Sequence, residues 1–335
     1  MTNQLFDAVS SMSRIAVSDA SVEQRAEEML GEVHRVFPFD AAILSAVDLA
    51  DHKRNRPISV KGYDADFIDY LVSPEWYAEC IEPFGLPGNG WPFREADLPI
   101  DPMTLRGVAE YGRPGGLNEG LLGALVTPRG RRAGFVMLSW ANDKPPSDVA
   151  CAVIGYGSMA LASIIDPLES ASRLAASLDL GTTLVALLPG GDTLDLKGTS
   201  ADVKAEQWAP LRATAESLLD RQRRSPMFLW PRGGSSWYSC CAYRCRDDVV
   251  ALSLRPLNGV YDLTLRELQV LTRLADGSSN GDIAAELFVT IRTVRAHVEH
   301  IFDKLNVATR SAAVSRALAD GLILPEAALH RGKVL

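Results

Sequence analysis

The chain has 335 residues, too many for one ordinary core at about 150 residues per domain, so two or three domains are expected. Its 47% hydrophobic and 23% charged residues are ordinary for a globular protein, and a net charge of −8 excludes one that coats nucleic acid through bulk charge. Five widely spaced cysteines, an odd number, and no basic-then-apolar leader in residues 1–10 argue against a disulfide framework and a secretory signal.

The most apolar stretch, 153–165, ends at Asp166 and is shorter than the roughly 20 residues of a spanning helix. A cytoplasmic protein without a membrane partner is the expectation.

In chain order, residues 21–36 place Ala26, Met29, Leu30 and Val33 at helical spacing, and Phe37-Pro38 ends that helix. Residues 41–47 read as a buried strand, and 51–57 as a polar turn. Residues 64–93 are rich in aromatics, and the prolines and glycines after Ile81 argue against long regular elements. Strands at 121–126 and 134–139 follow, joined by a hairpin loop carrying Arg129, Arg131 and Arg132. A helix over 147–164 closes this α+β segment, residues 1–167.

The middle segment, 168–258, shows strands at 182–188 and 193–196, a charged helix over 201–223, and strands at 227–230, 237–243 and 249–254. In outline this resembles a small α+β, PAS-like unit. No internal repeat is visible in the sequence. Cys240, Cys241 and Cys245 have no histidine nearby, and Gly112–Gly116 and Gly233-Gly234 match no phosphate-binding pattern. The basic run 221–224 reads as a solvated helix end. No catalytic set, metal site or cofactor motif stands out, so an enzyme is not expected.

Residues 259–325 read as all-helical. Thr264 and Glu267 form a capping-box pair ahead of Leu265, Leu268, Leu271 and Leu274, and Asp276-Gly277 is a helix stop. Ser279-Asn280 opens a short second helix with Ile283, Ala284 and Leu287 inward. After a turn at Phe288-Val289, Thr290 caps a third helix whose apolar series is Ile291, Val294, Val298, Ile301 and Leu305. A short helix, a tight turn and a longer helix with a polar outer face make a helix-turn-helix, 279–298, whose second helix enters the major groove.

The string Leu263-Thr264-x-Arg266-Glu267, Leu274-Ala275-x-Gly277, Ser279-Asn280-x-Asp282-Ile283-Ala284-x-x-Leu287, Thr290-x-x-Thr293-Val294-Arg295-x-His297-Val298, Lys304-Leu305-x-Val307 and Thr309-Arg310 resembles the LuxR-type (NarL/FixJ/GerE-like) DNA-binding domain. The resemblance implies four helices, the fourth over 311–320. It also implies double-stranded DNA and RNA polymerase as partners, and dimer contacts from the fourth helix. Thr290 and Thr293 are then expected on phosphates at the helix N-terminus, and Lys304 on the backbone. Arg295, Ala296 and Glu299 are expected to face bases, Arg295 toward guanine and Glu299 toward cytosine N4, and Arg292 is expected among the DNA-binding residues of the same outer face. His297 is expected to pack and orient. Eight acids against seven bases leave 259–325 at −1, so a lone domain should bind weakly and a homodimer on two half-sites is expected.

Residues 1–167 resemble the GAF-like sensor regions of actinobacterial-type LuxR regulators, which implies a small-molecule effector. Trp76, Tyr77, Trp91 and Phe93 are the candidate ligand-binding aromatics. A receiver domain is not expected, since no acidic strand end, phosphorylatable aspartate and later lysine occur in order. The expected function is a sequence-specific transcriptional regulator. The alternative is a protein-interaction regulator whose helical domain no longer binds DNA strongly.

Overall fold

Two helices open the computed structural model, which describes residues 2–83, 91–220, 226–233 and 236–329. The first, α1 (Thr2–Ala16), packs on the last helix of the first unit; α2 (Val22–Val36) starts at a capping box between Ser21 and Gln24. The chain then enters β1 (Ala41–Val47) and β2 (Asn55–Lys61). Next come α3 (Ala65–Leu71) and α4 (Pro74–Trp76), which widens into a π-type turn, Tyr77–Ile81. After β3 (Phe93–Arg94), short helical turns lead to the hairpin β4 (Glu119–Val126) and β5 (Arg132–Trp140), then to α5 (Asp148–Ile165), capped by Ser147.

These elements make one antiparallel sheet in the order β2-β1-β5-β4-β3. Side-chain alternation gives it two buried faces. Ala42, Leu44, Ala46, Val136 and Leu138 pack under α1, α2 and α5. Ala41, Ile43, Phe135 and Leu122 pack against Tyr63, Phe67, Tyr70 and Trp76. This first unit, Met1–Glu169, is the expected GAF-like α+β domain. The helix α5 is long and apolar enough to cross a membrane, but more than half of it is buried inside the unit.

The second unit, Ser170–Leu335, holds both the middle sheet and the C-terminal helices. It follows α6 (Glu169–Ser177) with β6 (Thr183–Leu187), β7 (Thr193–Lys197), α7 (Ala205–Asp220), β8 (Met227–Gly233), β9 (Ser236–Arg244) and β10 (Val250–Asn258). The sheet order, β7-β6-β10-β9-β8, repeats that of the first unit strand for strand. The middle region is therefore the expected PAS-like sheet, and the chain carries a repeated topology without a visible repeat in sequence. The basic run 221–224, the end of the helix expected over 201–223, and Gly234 lie outside the described residues.

Four helices follow: α8 (Leu265–Ala275), α9 (Asn280–Glu286), α10 (Ile291–Leu305) and α11 (Arg310–Ala319), with a final turn α12 (Glu326–Leu329). Capping boxes start α8 at Thr264/Glu267 and α9 at Ser279/Asp282. Gly277, at φ +90°, ends the first where an L side chain would be strained. Along β8, Phe228 and Trp230 pack toward α7, while Leu229 joins the core of the helical bundle. The Leu229 amide donates to the Ile323 carbonyl at 2.8 Å, so the segment after α11 borders the middle sheet's edge strand.

Candidate nucleic-acid interface and cavity

The outer side of α10 is set by its buried side. Val294, Ile301 and Leu305 are fully buried, which turns Arg292, Arg295, Ala296 and Glu299 outward at spacings of three and four residues. All four are exposed, as is Thr290 at the N-cap; Thr293 is half-buried. The Thr290 hydroxyl accepts from the Thr293 amide at 3.1 Å and lies 2.8 Å from the Thr293 hydroxyl. Two hydroxyls and the free amides of the first turn thus converge where an anion is favoured.

Charge is distributed unevenly over the seven bases of 259–325. Arg273 is surrounded by Asp276, Glu286 and Glu326. Arg266 donates to the Leu287 carbonyl, Arg310 to the Ser278 carbonyl, and Arg316 pairs with Asp320. Lys304 donates to Glu267 at 2.7 Å and to the Asp262 carbonyl at 2.9 Å. Among the described residues, Arg292 and Arg295 are the two bases of this domain with no such partner, and both stand on the outer face of α10.

Lys304 is therefore held on the domain itself, with its ammonium engaged before any phosphate is reached. Its partner Glu267 is almost fully buried. Burial pushes that carboxyl up, but the bonds from Lys304 and Thr264 outweigh burial and hold it below the usual carboxylate range. His297 is half-buried beside it, and Glu267, His297 and His300 each bring a ligand atom within 4.8 Å of the others. With Lys304 already on Glu267, this cluster reads as the polar seam between α8 and α10. Sequence reasoning had paired Glu267 with Thr264 but missed this second partner, because Lys304 lies 37 positions away.

The first unit holds a partly open cavity of about 100 Å³ on the aromatic face of its sheet. Phe67, Leu71, Trp76, Phe93, Leu122 and Met137 are among the residues of its wall. Of the four aromatics expected at a ligand site, Trp76 and Phe93 line it. Tyr77 instead faces the Arg132 guanidinium, 4.9 Å from the ring centre. Trp91 lies edge-on to Tyr156 at 5.6 Å and is 41% exposed. Sequence reasoning missed the charged wall: Arg113 pairs with Glu95, and Glu119 stands at the start of β4. A charged residue opening the apolar run 119–126 was the available signal.

Residues 262–317 match the family described as bacterial regulatory proteins, luxR family. Over 61 residues, 18% of this chain, the sequence is 43% identical to the transcriptional regulatory protein LiaR of Bacillus subtilis, covering 29% of that protein. It is 46% identical over 61 residues to the probable transcriptional regulatory protein NarL of Mycobacterium tuberculosis, covering 18% of this chain and 28% of that protein. The match thus spans under a third of the length of these relatives. Among solved structures, Escherichia coli SdiA aligns over 95% of this chain and 98% of its own at 14% identity and a TM-score of 0.34. The bacteriophytochrome RpBphP3 of R. palustris aligns over 76% of this chain and 63% of its own, at 14% identity and a TM-score of 0.39. Likeness at that level decides nothing about ligand or partner. The C-terminal helices, by sequence and by capped helix-turn-helix geometry alike, form a domain of the bacterial luxR family of regulatory proteins.

Proposed function

We propose that the protein is a sequence-specific DNA-binding transcriptional regulator that acts in the cytoplasm as a homodimer and is controlled through its Met1–Glu169 unit. The observation that carries this reading is the pair Arg292 and Arg295, the bases of the helical domain left unengaged, on the exposed face of the recognition helix. Arg295 reads guanine by a bidentate contact, Glu299 accepts from cytosine N4, and Arg292 with the Thr290 and Thr293 hydroxyls holds phosphates. His297 orients the helix from its half-buried place beside Glu267. With so few free cations, a single domain binds weakly, so the dimer on two half-sites supplies affinity. RNA polymerase is the partner through which occupancy is read. A small molecule in the sheet cavity, walled partly by Trp76 and Phe93, is the controlling signal.

Electrophoretic shift of the full chain on DNA from its own promoter region, over a salt series, tests this. Saturable binding that Arg295→Ala weakens is expected. Absent or salt-independent binding would overturn the reading and favour a protein-interaction regulator, the alternative that the near-neutral helical domain supports.

A further inference from the structure

The polar groups around the cavity in the first unit can be followed one by one. The Ser139 hydroxyl shares a hydrogen bond with the Tyr63 hydroxyl at 2.7 Å. Arg113 is committed twice, to Glu95 and, through Nη1 at 2.9 Å, to the Leu117 carbonyl. Cys80 is a neutral thiol, its pKa pushed up to about 12 by burial and by the neighbouring Glu79 charge. That leaves Glu119. Its Oε2 is shut off from solvent and has no hydrogen-bond partner among the described residues.

The charges around the cavity do not cancel. Glu95 and Glu119 are two carboxylates, and Arg113 is the one cation of the wall among the described residues, already paired with Glu95. A further anion brought into this space meets an unpaired carboxylate. A donor, above all a cationic one, that enters between the wall and the Glu119 carboxylate gives Oε2 the bond it lacks. An unsatisfied buried acceptor is costly, and a charge-assisted bond to it is strong.

Resting on the reading that this cavity receives the controlling signal, we infer that its ligand is an apolar molecule with a cationic amine, or another strong N–H donor, that docks on the Glu119 carboxylate. The Phe67, Leu71, Trp76 and Phe93 side chains take the apolar body, and Glu119 fixes its polar end. Burial, followed by the Glu95 charge, pushes the Glu119 carboxyl up, and the Arg113 charge offsets this only in part.

The test is calorimetric binding to the full-length protein of three matched probes: 4-phenylbutylamine, 4-phenylbutanol and 4-phenylbutyrate. The amine is expected to bind at least about tenfold more tightly than the alcohol, the effect of one charge-assisted bond, with the carboxylate weakest. Glu119→Gln should remove the preference for the amine while leaving the alcohol's affinity within about twofold. Equal or tighter binding of the carboxylate, an amine preference that survives Glu119→Gln, or no amine binding at millimolar concentration would overturn the inference. These readouts need no DNA. A protein that binds the amine but no promoter overturns the regulator reading alone; one that binds promoter but not the amine overturns this inference alone.

Discussion

At the scale of single residues, Glu267 shows how one side chain can hold two helices. It accepts from the Thr264 amide at the start of α8 and from Lys304 near the end of α10. Lys304→Met should lower unfolding stability by about 2 kcal/mol, the scale of a hydrogen bond to a charged group. The sign of its pH dependence follows from Glu267. A carboxyl held below its ordinary range contributes stability at pH above that range and loses it as pH falls through the lowered value. The gap between Lys304→Met and the parent protein should therefore close in acid, measured by denaturant titration at several pH values. Glu119 has the opposite sign: its raised carboxyl contributes most at low pH and costs stability as pH rises. Glu119→Gln should thus raise Tm at neutral pH by about 2 °C in thermal unfolding. At the DNA face, Arg292→Ala should weaken binding to all sequences alike and make the salt dependence shallower by about one ion per half-site.

At the scale of elements, what could be read from sequence was what local chemistry alone decides. The caps at Thr264, Ser279 and Thr290 were legible because an N-cap hydroxyl and its N3 partner sit three residues apart. Strand β2 was not: its first residues fall in the stretch 51–57, which reads as a polar turn ending at Pro57, yet Asn55–Lys61 is an edge strand, and Pro57 falls where the pairing with β1 shifts register. Strand β10 runs past its expected end at 254 for a related reason. Pro256 lies beyond the residues that pair with β6, so its missing amide breaks no bond on that side. Helix α1 was missed because Ser10, Ser11 and Ser13 are poor helix formers, and it is held by packing on α5. Helix α10 needs its own cap: Thr290→Ala should cost about 1 kcal/mol in thermal or chemical unfolding and loosen the first turn, the one proposed to hold phosphate.

At the scale of the whole chain, two sheets with one repeated strand order precede the helices that match the bacterial luxR family. The candidate recognition residues were legible because helical spacing places 292, 295, 296 and 299 on one face. The wall of the cavity was not, because Glu95, Arg113 and Glu119 are brought together only by the fold of the sheet edge. Nor could sequence show which bases stay free, since the partners of Arg266, Lys304 and Arg310 lie 21 to 42 positions away. With two unengaged arginines per protomer, the salt dependence of a dimer on its operator should have a slope no steeper than about −4 in log K against log salt. A steeper slope means that further cations leave their partners on binding.

Whether α10 reads DNA sequence through Arg295 is decided by selecting bound DNA from a random pool with the full-length protein and with Arg295→Ala. An enriched inverted repeat with half-sites about one helical turn apart is expected, with loss of preference at a guanine in each half-site when Arg295 is removed. An enriched motif identical for the two proteins, or no enrichment at all, would contradict it.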